Sequence, residues 1–579
     1  MSSRYVVSNV PKINRSRSRF DLSHGHKTSG SVGYLYPLDP IEVLPGDTFK
    51  FNLSMVARLS STLVRPVMDN LFIDVHSFFV PKRLLYNKFE EMYGQASPND
   101  WSNPEEIVLP SLDVNSTASD NAIAATQNGG SAQVAQHFGL NGRVAVSYNE
   151  GANKKAVSVL PFRAFAMIYN EFFRDENLIS PMNVVKGDTG TYEKLNTSAW
   201  SPTNYTGCVP KVSKLHDYFT SVLPGVQKGQ TTTIPLSLVD DIPVNSGDVH
   251  APVGTAPPAM RFKDSNTPGN KVPYISVDTD GVASLRSSWS GLGGSPIATT
   301  SPLVPINLWA SAGEYASSLS VNDLRFAFQY QKMLERQARS GSRFVEWLLG
   351  AFGVQSGDAR LQRPEYLGGK RIPVQVQQVS QTTGFSTDST PQTLGQVGAN
   401  SVTAEKSACR WTFSASEPGY IINVFCVRQF HTYQQGINRM WFKDKRIDFY
   451  EPVYANIGEQ PVFKYQLYAS ASNVADAAGN SAIFGYNEAW QEYRQIPNLI
   501  TGQMNSDASD SLDIWHLGDR YLSSPSLGQT WIEETSSYLD DVLSVKSSSL
   551  DQFIFDFWQD IKAIRCMPLY SVPGLIDHN

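Results

Sequence analysis

Hydrophobic and polar residues alternate along several segments of the sequence. From residue 49 to residue 55, every second position is Phe, Phe, Leu or Met, with Lys, Asn and Ser between them, after Pro-Gly-Asp at 45–47. This period of two after a turn predicts a strand with one buried face. Further hydrophobic segments predict strands at 71–80, 372–379, 420–427, 464–468, 512–516 and 553–564.

The predicted strands lie far apart in the sequence, with several hundred residues between the first pair and the others. Strands separated in this way must pair through long connections. We therefore expect a mainly β protein, a Greek-key or jelly-roll sandwich with large insertions, rather than a meander.

Two segments have the three- and four-residue spacing of amphipathic helices. The first follows Pro161 and carries aromatic residues at helical steps from 162 to 173, which predicts a helix whose aromatic stripe packs in the core. The second starts at Ser320 with a sequence that resembles a capping box. We expect its cationic residues to form a solvated or subunit-facing side: Arg325, Lys332, Arg336 and Arg339.

The segment from 226 to 300 differs from its surroundings, because 33 of its 75 residues are Gly, Pro, Ser or Thr. Such a composition builds no ordinary core, and connections this long are usually functional excursions or linkers. Interspersed Val, Ile, Tyr274 and Trp289 favour an ordered surface excursion over a linker.

Composition narrows the class of protein. Aromatic residues make up 11% of the 579 residues, and charged residues 18%, against about 25% in typical proteins. This composition, rich in aromatic residues and poor in charged ones, excludes a coiled coil, a collagen and a disordered chain. No apolar run reaches the length of a membrane helix, and residues 1–11 do not resemble a secretory signal. We therefore expect synthesis in a cytosol and no membrane insertion.

Charge is unevenly distributed. The net charge is −6, yet the first twenty residues contain no acid and five basic residues, Arg4, Lys12, Arg15, Arg17 and Arg19. This pattern predicts a flexible basic arm over residues 1–30 whose cations contact phosphates. An ordinary solvated segment explains the charge equally well.

No motif supports catalysis or a cofactor. The sequence lacks a P-loop, an H-E-x-x-H and a G-x-S-x-G, and its four cysteines have no C-x-x-C spacing. His24 and His26 are compatible with a metal site, but glycine stands between them and the flanking sequence is not strand-like, which favours a flexible segment. The open alternatives are a carbohydrate-binding or carbohydrate-active β-sandwich, given the aromatic excess, and a DNA-processing enzyme, given the arm.

Several longer strings closely resemble the major capsid proteins of the Microviridae, tailless icosahedral phages with single-stranded DNA, and especially the gokushovirus branch. They occur in the same order along the chain: LPFRA at 160–164, NEFFRDENL at 170–178, HDYFTS at 216–221, NDLR at 322–325, DARLQRPEYLGG at 358–369, TYQQG at 432–436 and YSVPGLID at 570–577. One departure is Gly225, where the family pattern leads us to expect tryptophan.

The resemblance implies an eight-stranded viral jelly roll, with the core at 31–225 and 306–579 and a surface insertion at 226–305. It further implies a T=1 shell of sixty copies around a circular single-stranded DNA genome, with the insertion projecting at the threefold axes toward a host receptor. The implied partners are further copies of the chain, the DNA, internal scaffolding and pilot proteins and a small basic DNA-binding protein. The implied location is the virion, assembled in the bacterial cytoplasm; no enzymatic activity, metal or cofactor is implied.

Overall fold

The computed structural model describes residues 16–93, 107–112, 132–140, 157–187, 207–229, 321–339, 349–350, 352–353, 362–380, 397–471 and 483–570, and shorter pieces that are strands between 244 and 310. The chain divides into two compact units, one formed by Met1–Lys228 with Gln337–Asn579 and the other by Gly229–Arg336.

Two antiparallel sheets form the larger unit. Their strand segments among the described residues are β1 (Ser18–Asp21), β2 (His24–Gly30), β3 (Tyr36–Pro37), β4 (Ile41–Val43), β5 (Thr48–Leu59), β6 (Leu71–Pro81), β7 (Glu365–Pro373), β8 (Val376–Ser380), β9 (Val397–Ser414), β10 (Gly419–Gln429) and β11 (Phe553–Arg565). The first sheet has the order β1–β11–β5–β9–β8, and β2 also pairs with β11. The second has the order β7–β6–β10–β3, and β4 also pairs with β10.

The connectivity of these sheets is that of a jelly roll. If β1–β2 and β3–β4 each count as one position, and β8 is set apart as an additional edge strand that pairs with β9, the strands occupy eight positions along the chain. The first sheet then has the order 1-8-3-6, and the second has the order 2-7-4-5. Strands that alternate between two antiparallel sheets in this order form two interlocked Greek keys. The expected mainly β fold is confirmed.

The strand predictions succeed where one face is buried. In β5 the side chains of Phe49, Phe51, Leu53 and Met55 are buried while Lys50 is exposed, as the alternation requires. The predictions at 71–80, 420–427 and 553–564 are also confirmed, by β6, β10 and β11. The segment predicted at 372–379 is divided between the end of β7 and β8.

Three predictions about local structure are wrong. Residues 464–468 and 512–516 contain the 3-10 turns Lys464–Gln466 and Asp513–Trp515 instead of strands. His24 and His26, expected in a flexible segment, lie in β2 and pair with Gln559 and Phe557 of β11. The polar residues around this histidine pair concealed a strand whose hydrogen bonds come from a distant part of the chain.

Side chains from both sheets meet in a core rich in aromatic residues. The ring of Phe425 in the second sheet lies 4.7 Å from that of Phe555 and 5.0 Å from that of Phe557 in the first. A buried polar link crosses the same core, because Asn423 donates to Gln559 at 2.9 Å. Burial of each such aromatic ring contributes roughly 1.5–3 kcal/mol, so these contacts hold the sheets face to face.

The α-helices with four or more described residues are α1 (Phe89–Met92), α2 (Val134–His137), α3 (Leu160–Ile168), α4 (Val321–Arg339), α5 (Gln529–Ile532) and α6 (Ser537–Asp540). The π-helical turn Tyr169–Phe173 continues α3. Its Phe172 and Phe173 contact Phe78 on the outer side of the second sheet, at ring distances of 4.6 and 6.1 Å. The helix predicted at 162–173 and its role in core packing are confirmed, and none of the described helices is long and apolar enough to cross a membrane.

Short strands and 3-10 turns complete the larger unit. The strand pairs are Ser111–Leu112 with Val157–Ser158, Thr432–Tyr433 with Asn498–Leu499, and Glu459–Phe463 with Ile483–Glu488. The remaining 3-10 turns are Lys82–Leu84, Arg439–Phe442, Arg446–Asp448, Pro452–Tyr454, Gln491–Tyr493 and Gly502–Met504. The four cysteines are free thiols, and Cys566 is the exposed one.

The smaller unit contains three small antiparallel sheets among its described residues. Phe262–Asp264 pairs with Asn270–Lys271 and Leu303–Pro305, Tyr274–Val277 pairs with Ala283–Arg286, and Leu308–Ala310 pairs with Val244–Ser246. The helix predicted after Ser320 is confirmed as α4, which begins at Val321. The projection of residues 226–305 from a shell stays a prediction.

A buried network of charges links distant parts of the larger unit. His431 lies 2.8 Å from Asp519 through Nδ1 and 3.2 Å from Glu534 through Nε2, and the Lys214 ammonium lies 3.3 Å from Asp519. Burial alone would lower the pKa of His431, but the carboxylates of Asp519 and Glu534 raise it to about 9. Burial opposes ionisation of Asp519, yet His431 and Lys214 hold its pKa below the usual range. These opposite charges therefore stabilise one another.

We predict that this network makes the fold less stable at alkaline pH. Because the pKa of folded His431, about 9, exceeds the ordinary 6.5, its protonation contributes fully below pH 6.5 and is lost as the pH rises through 9. This contribution is on the order of 3 kcal/mol. His431→Gln should lower the urea midpoint of unassembled protein at pH 6 and converge on wild type above pH 9. Exposed His216→Gln is the control, and parallel pH profiles for His431→Gln and wild type would contradict the prediction.

Candidate nucleic-acid interface

The two sheets differ in what lies on their outer faces. Aromatic residues that follow α3 cover part of the outer face of the second sheet. On the first sheet, the side chains that alternate with the core residues point outward. In β11 these include Ile554 and Trp558, which are 54% and 53% exposed. Apolar side chains so exposed on a regular sheet indicate a surface for contact with another molecule.

Arg17 and Arg19, two of the five predicted DNA-contacting residues, lie at the edge of this first sheet. Arg19 is exposed in β1 opposite Ile564 of β11. Arg17 precedes β1, and its guanidinium lies over Gly46, 3.3 Å from the position of a Cβ there. Arg4, Lys12 and Arg15 lie outside the described residues. The part of the arm from 18 to 21 is therefore a strand of the sandwich.

Strand pairing brings further cations onto the same face. Lys562 of β11 and Lys50 of β5 are direct cross-strand partners, and Arg410 of β9 lies opposite Asn52. Lys562 is neutralised by Asp21 at 2.5 Å and by Asp560 at 3.3 Å. Among the described residues, the structure shows no ion pair for Lys50 or Arg410, so their positive charges are available to a ligand.

The face as a whole is cationic. Within the described parts of β1, β2, β5, β9 and β11, its outward charged residues comprise six basic and three acidic side chains: Arg19, Lys27, Lys50, Arg58, Arg410 and Lys562, and Asp21, Asp556 and Asp560. Its formal charge of +3 contrasts with −6 for the whole chain. We name these outward side chains, together with Trp558, the basic face.

Trp558 adds a flat aromatic surface to the basic face. It lies opposite Gly25 of β2, and the position of a Cβ at residue 25 would be 3.6 Å from the indole. Because glycine has no side chain, the indole ring stays accessible beside Lys27, which pairs with Asp556 at 2.5 Å. Exposed aromatic rings between cations bind single-stranded nucleic acid, since bases stack on the rings while the cations contact phosphates.

The histidine pair beside this face has a structural arrangement. His24 Nε2 and His26 Nδ1 each lie 2.8 Å from one oxygen of Asp39, and Gln559 donates to the same carboxylate at 2.7 Å. Burial raises the pKa of Asp39, but hydrogen bonds from the two histidines lower it to about 2. Across the described residues, no group of three or more His, Cys, Asp or Glu side chains is arranged to hold a metal ion.

The prediction that Arg17 and Arg19 contact DNA stays a prediction, and sequence reasoning did not select Lys50, Arg410 or Trp558 of the basic face. The signal for Lys50 was present, because it alternates with buried residues in a predicted strand. Arg410 lies in β9, which was not predicted, and its proximity to Lys50 depends on pairing between segments about 360 residues apart.

Comparisons with known proteins agree with this architecture. The model of the family described as "Capsid protein (F protein)" matches residues 8–575. The chain is 35% identical to capsid protein VP1 of Chlamydia phage 1, over 98% of this chain and 97% of the relative. It is 34% identical to capsid protein VP1 of Bdellovibrio phage phiMH2K, over 98% and 97%. It is also 34% identical to capsid protein VP1 of Spiroplasma virus 4, over 96% and 95%.

Both the family match and these relatives extend over nearly the whole chain, including both sheets and the segment between them. The family consists of structural proteins rather than enzymes, which agrees with the lack of a catalytic motif. The chain therefore belongs to the capsid protein (F protein) family of the Microviridae, with gokushovirus-like relatives, and it is a major capsid protein of a phage virion.

Proposed function

We propose that sixty copies of this chain form a T=1 icosahedral shell around a circular single-stranded DNA genome, with the basic face turned toward the DNA. The observation that carries the proposed DNA contact is the basic face, an open cationic surface on a capsid protein of otherwise acidic composition. The proposed copy number follows from the resemblance to gokushovirus capsid proteins. The jelly roll supports it, because a closed sandwich presents one sheet to each side of a thin wall.

The shell proposal is tested by an electron cryomicroscopy map of purified particles. We expect sixty copies with the first sheet on the inner side and density for nucleic acid beside Trp558 and Lys50. A different copy number would contradict the T=1 proposal. Placement of the first sheet on the outer surface would contradict its role in DNA contact.

The basic face and the arm contact the genome without neutralising it. Sixty arms of five basic residues supply about 300 positive charges, whereas a genome of roughly several thousand nucleotides carries about one negative charge per nucleotide. The proposed role of Arg4, Lys12, Arg15, Arg17 and Arg19 is therefore to position DNA along the wall. A small basic phage protein and other cations supply the remaining charge, and scaffolding and pilot proteins act as further partners in assembly.

We predict that reversing two charges on the basic face reduces DNA packaging more than shell formation. Lys50→Glu with Arg410→Glu removes two phosphate contacts and introduces repulsion, so the ratio of DNA-filled to empty particles should fall several-fold. For isolated subunits, the slope of log affinity for single-stranded DNA against log salt should become less steep by about 0.7 for each lost contact.

The matched control for this charge reversal is Arg325→Glu with Lys332→Glu, which makes the same charge change at exposed positions of α4. It should leave the DNA content of particles close to that of wild type. Normal DNA content in Lys50→Glu/Arg410→Glu particles, or an equal loss in the control, would contradict the proposed DNA contact. Gradient fractions provide both measurements: the particle yield reports shell formation, and the ultraviolet absorbance reports DNA content.

We also propose that the insertion at 226–305 projects at the threefold axes and contacts the host surface. Residues 229–336 cluster into a compact unit of their own, so they are suited to variation without change in the sandwich. Deletion of residues 246–296 should leave assembly and DNA content intact while reducing adsorption to host cells by at least tenfold. Loss of particle assembly, or unchanged adsorption, would contradict this role.

A further inference from the structure

A second surface of the larger unit carries a different chemistry. Residues 438–457 follow one another through three 3-10 turns, Arg439–Phe442, Arg446–Asp448 and Pro452–Tyr454. We name this segment the ridge. Six of its apolar side chains are at least half exposed, and such a cluster is unusual on a single chain: Met440 56%, Trp441 73%, Ile447 58%, Phe449 50%, Val453 86% and Ile457 50%.

Specific contacts from beneath fix the shape of the ridge. The Lys443 ammonium is largely buried and donates to Glu492 at 3.0 Å and to the Tyr493 hydroxyl at 3.1 Å. The Tyr450 ring lies 5.7 Å from that of Trp490, whose indole donates to the backbone oxygen of Tyr454 at 2.9 Å. The ridge therefore holds its apolar side chains outward before any partner binds.

Backbone strain at Trp490 supports this interpretation. Its φ of 65° and ψ of 27° place it in the left-handed region, which is costly for a large side chain. Such conformations persist where the surrounding structure over-determines them, and they cluster at binding sites. Here the contacts of Trp490 with Tyr450 and Tyr454 hold it in this conformation beneath the ridge.

An apolar groove borders the ridge. Its volume is about 270 Å³, and its lining includes Tyr218, Tyr433, Trp441, Ile496 and Leu499. Tyr218 and Tyr433 are buried at its base, whereas Ile496 and Leu499 are 81% and 65% exposed at its rim. Together, the ridge and the groove form a surface of aromatic and aliphatic groups whose shape is fixed before a partner binds. Interface centres have this composition, with aromatic anchors and pockets that receive partner side chains.

The net charge of the ridge favours another copy of this chain as its partner. The ridge contains four basic and three acidic residues, a net charge of +1. This leaves −7 for the rest of a chain whose net charge is −6. The ridge is therefore unsuited to a polyanion, because its few cations alternate with acids such as Asp444 and Glu451. It is attractive to an acidic protein with apolar side chains, and another copy of this chain is such a protein.

We propose that the ridge and its groove bind a second copy of this chain and form a principal contact between neighbours in the shell. Such a contact is heterologous where it joins different surfaces of successive copies, and closed rings require contacts of this kind. The inference rests on the assembly of copies into a shell, although it does not depend on their number. It assigns assembly to a surface whose exposed side chains are largely apolar, unlike the charged side chains of the basic face.

The test introduces a charge at exposed ridge positions in cells that express the full set of phage genes. Trp441→Glu and Val453→Glu should each lower the fraction of capsid protein in particles at least tenfold, because a carboxylate at an apolar contact loses its hydration. The soluble subunits should keep the wild-type urea midpoint. Met68→Glu is the matched control, since Met68 is an apolar residue 75% exposed outside the ridge, and its particle yield should stay within twofold of wild type.

A second measurement detects the contact by cross-linking in particles that have already assembled. A photo-reactive phenylalanine derivative in place of Val453, activated in purified wild-type-like particles, should cross-link two capsid chains. Cross-links to another virion protein alone, or wild-type particle yield from both ridge variants, would overturn the inference. Equal loss of assembly in Met68→Glu would also overturn it. Absence of particles from the wild-type chain itself would instead refute the shell proposal, so the two failures are distinguishable.

Discussion

Antiparallel pairing of residues 18–30 with residues 553–565 is the constraint on which the other features depend. Ser18 lies opposite Arg565, and Gly30 lies opposite Phe553. A strand that contributes every second side chain to the core cannot slip by one residue without turning that core outward. This register therefore fixes which side chains of β11 fill the sandwich and which form the basic face. Because the paired segments are more than 500 residues apart, the first sheet is complete only after residues 553–565 have been synthesised.

Whether a strand could be predicted from the sequence depended on the size and polarity of its buried side chains. In β5 and β11, a hydrophobic side chain at every second position made the strand evident. In β9, core-facing positions include Thr403 and Ala408, and small or polar side chains of this kind give no hydrophobic period. Alternation over only five residues, as at 464–468, occurs equally in a short turn. The sequence pattern thus revealed strands with large buried side chains, and pairing between distant segments determined the others.

The candidate site was less predictable than the fold for the same reason. A run of basic residues is visible in the sequence, which is why Arg17 and Arg19 were predicted to contact DNA. A cluster assembled across strands is not visible, because Lys50 and Arg410 acquire a common role only through sheet order. Exposure of Trp558 had a signal in the sequence, because this residue alternates with Phe555 and Phe557 in a predicted strand. The position of the neighbouring cations beside the indole had no such signal, since only the sheet order brings their strands together.

The basic face and the ridge each offset one of two electrostatic repulsions in the proposed particle. Acidic subunits repel one another and also repel the DNA that they enclose. A cationic surface offsets the repulsion between subunits and DNA. It could not contact the DNA if it were also buried between neighbouring subunits. An apolar ridge offsets the first repulsion through the hydrophobic effect, which does not depend on charge. Salt consequently acts on these contacts in opposite directions, since it weakens phosphate binding at the basic face while it screens the repulsion between copies joined at the ridge.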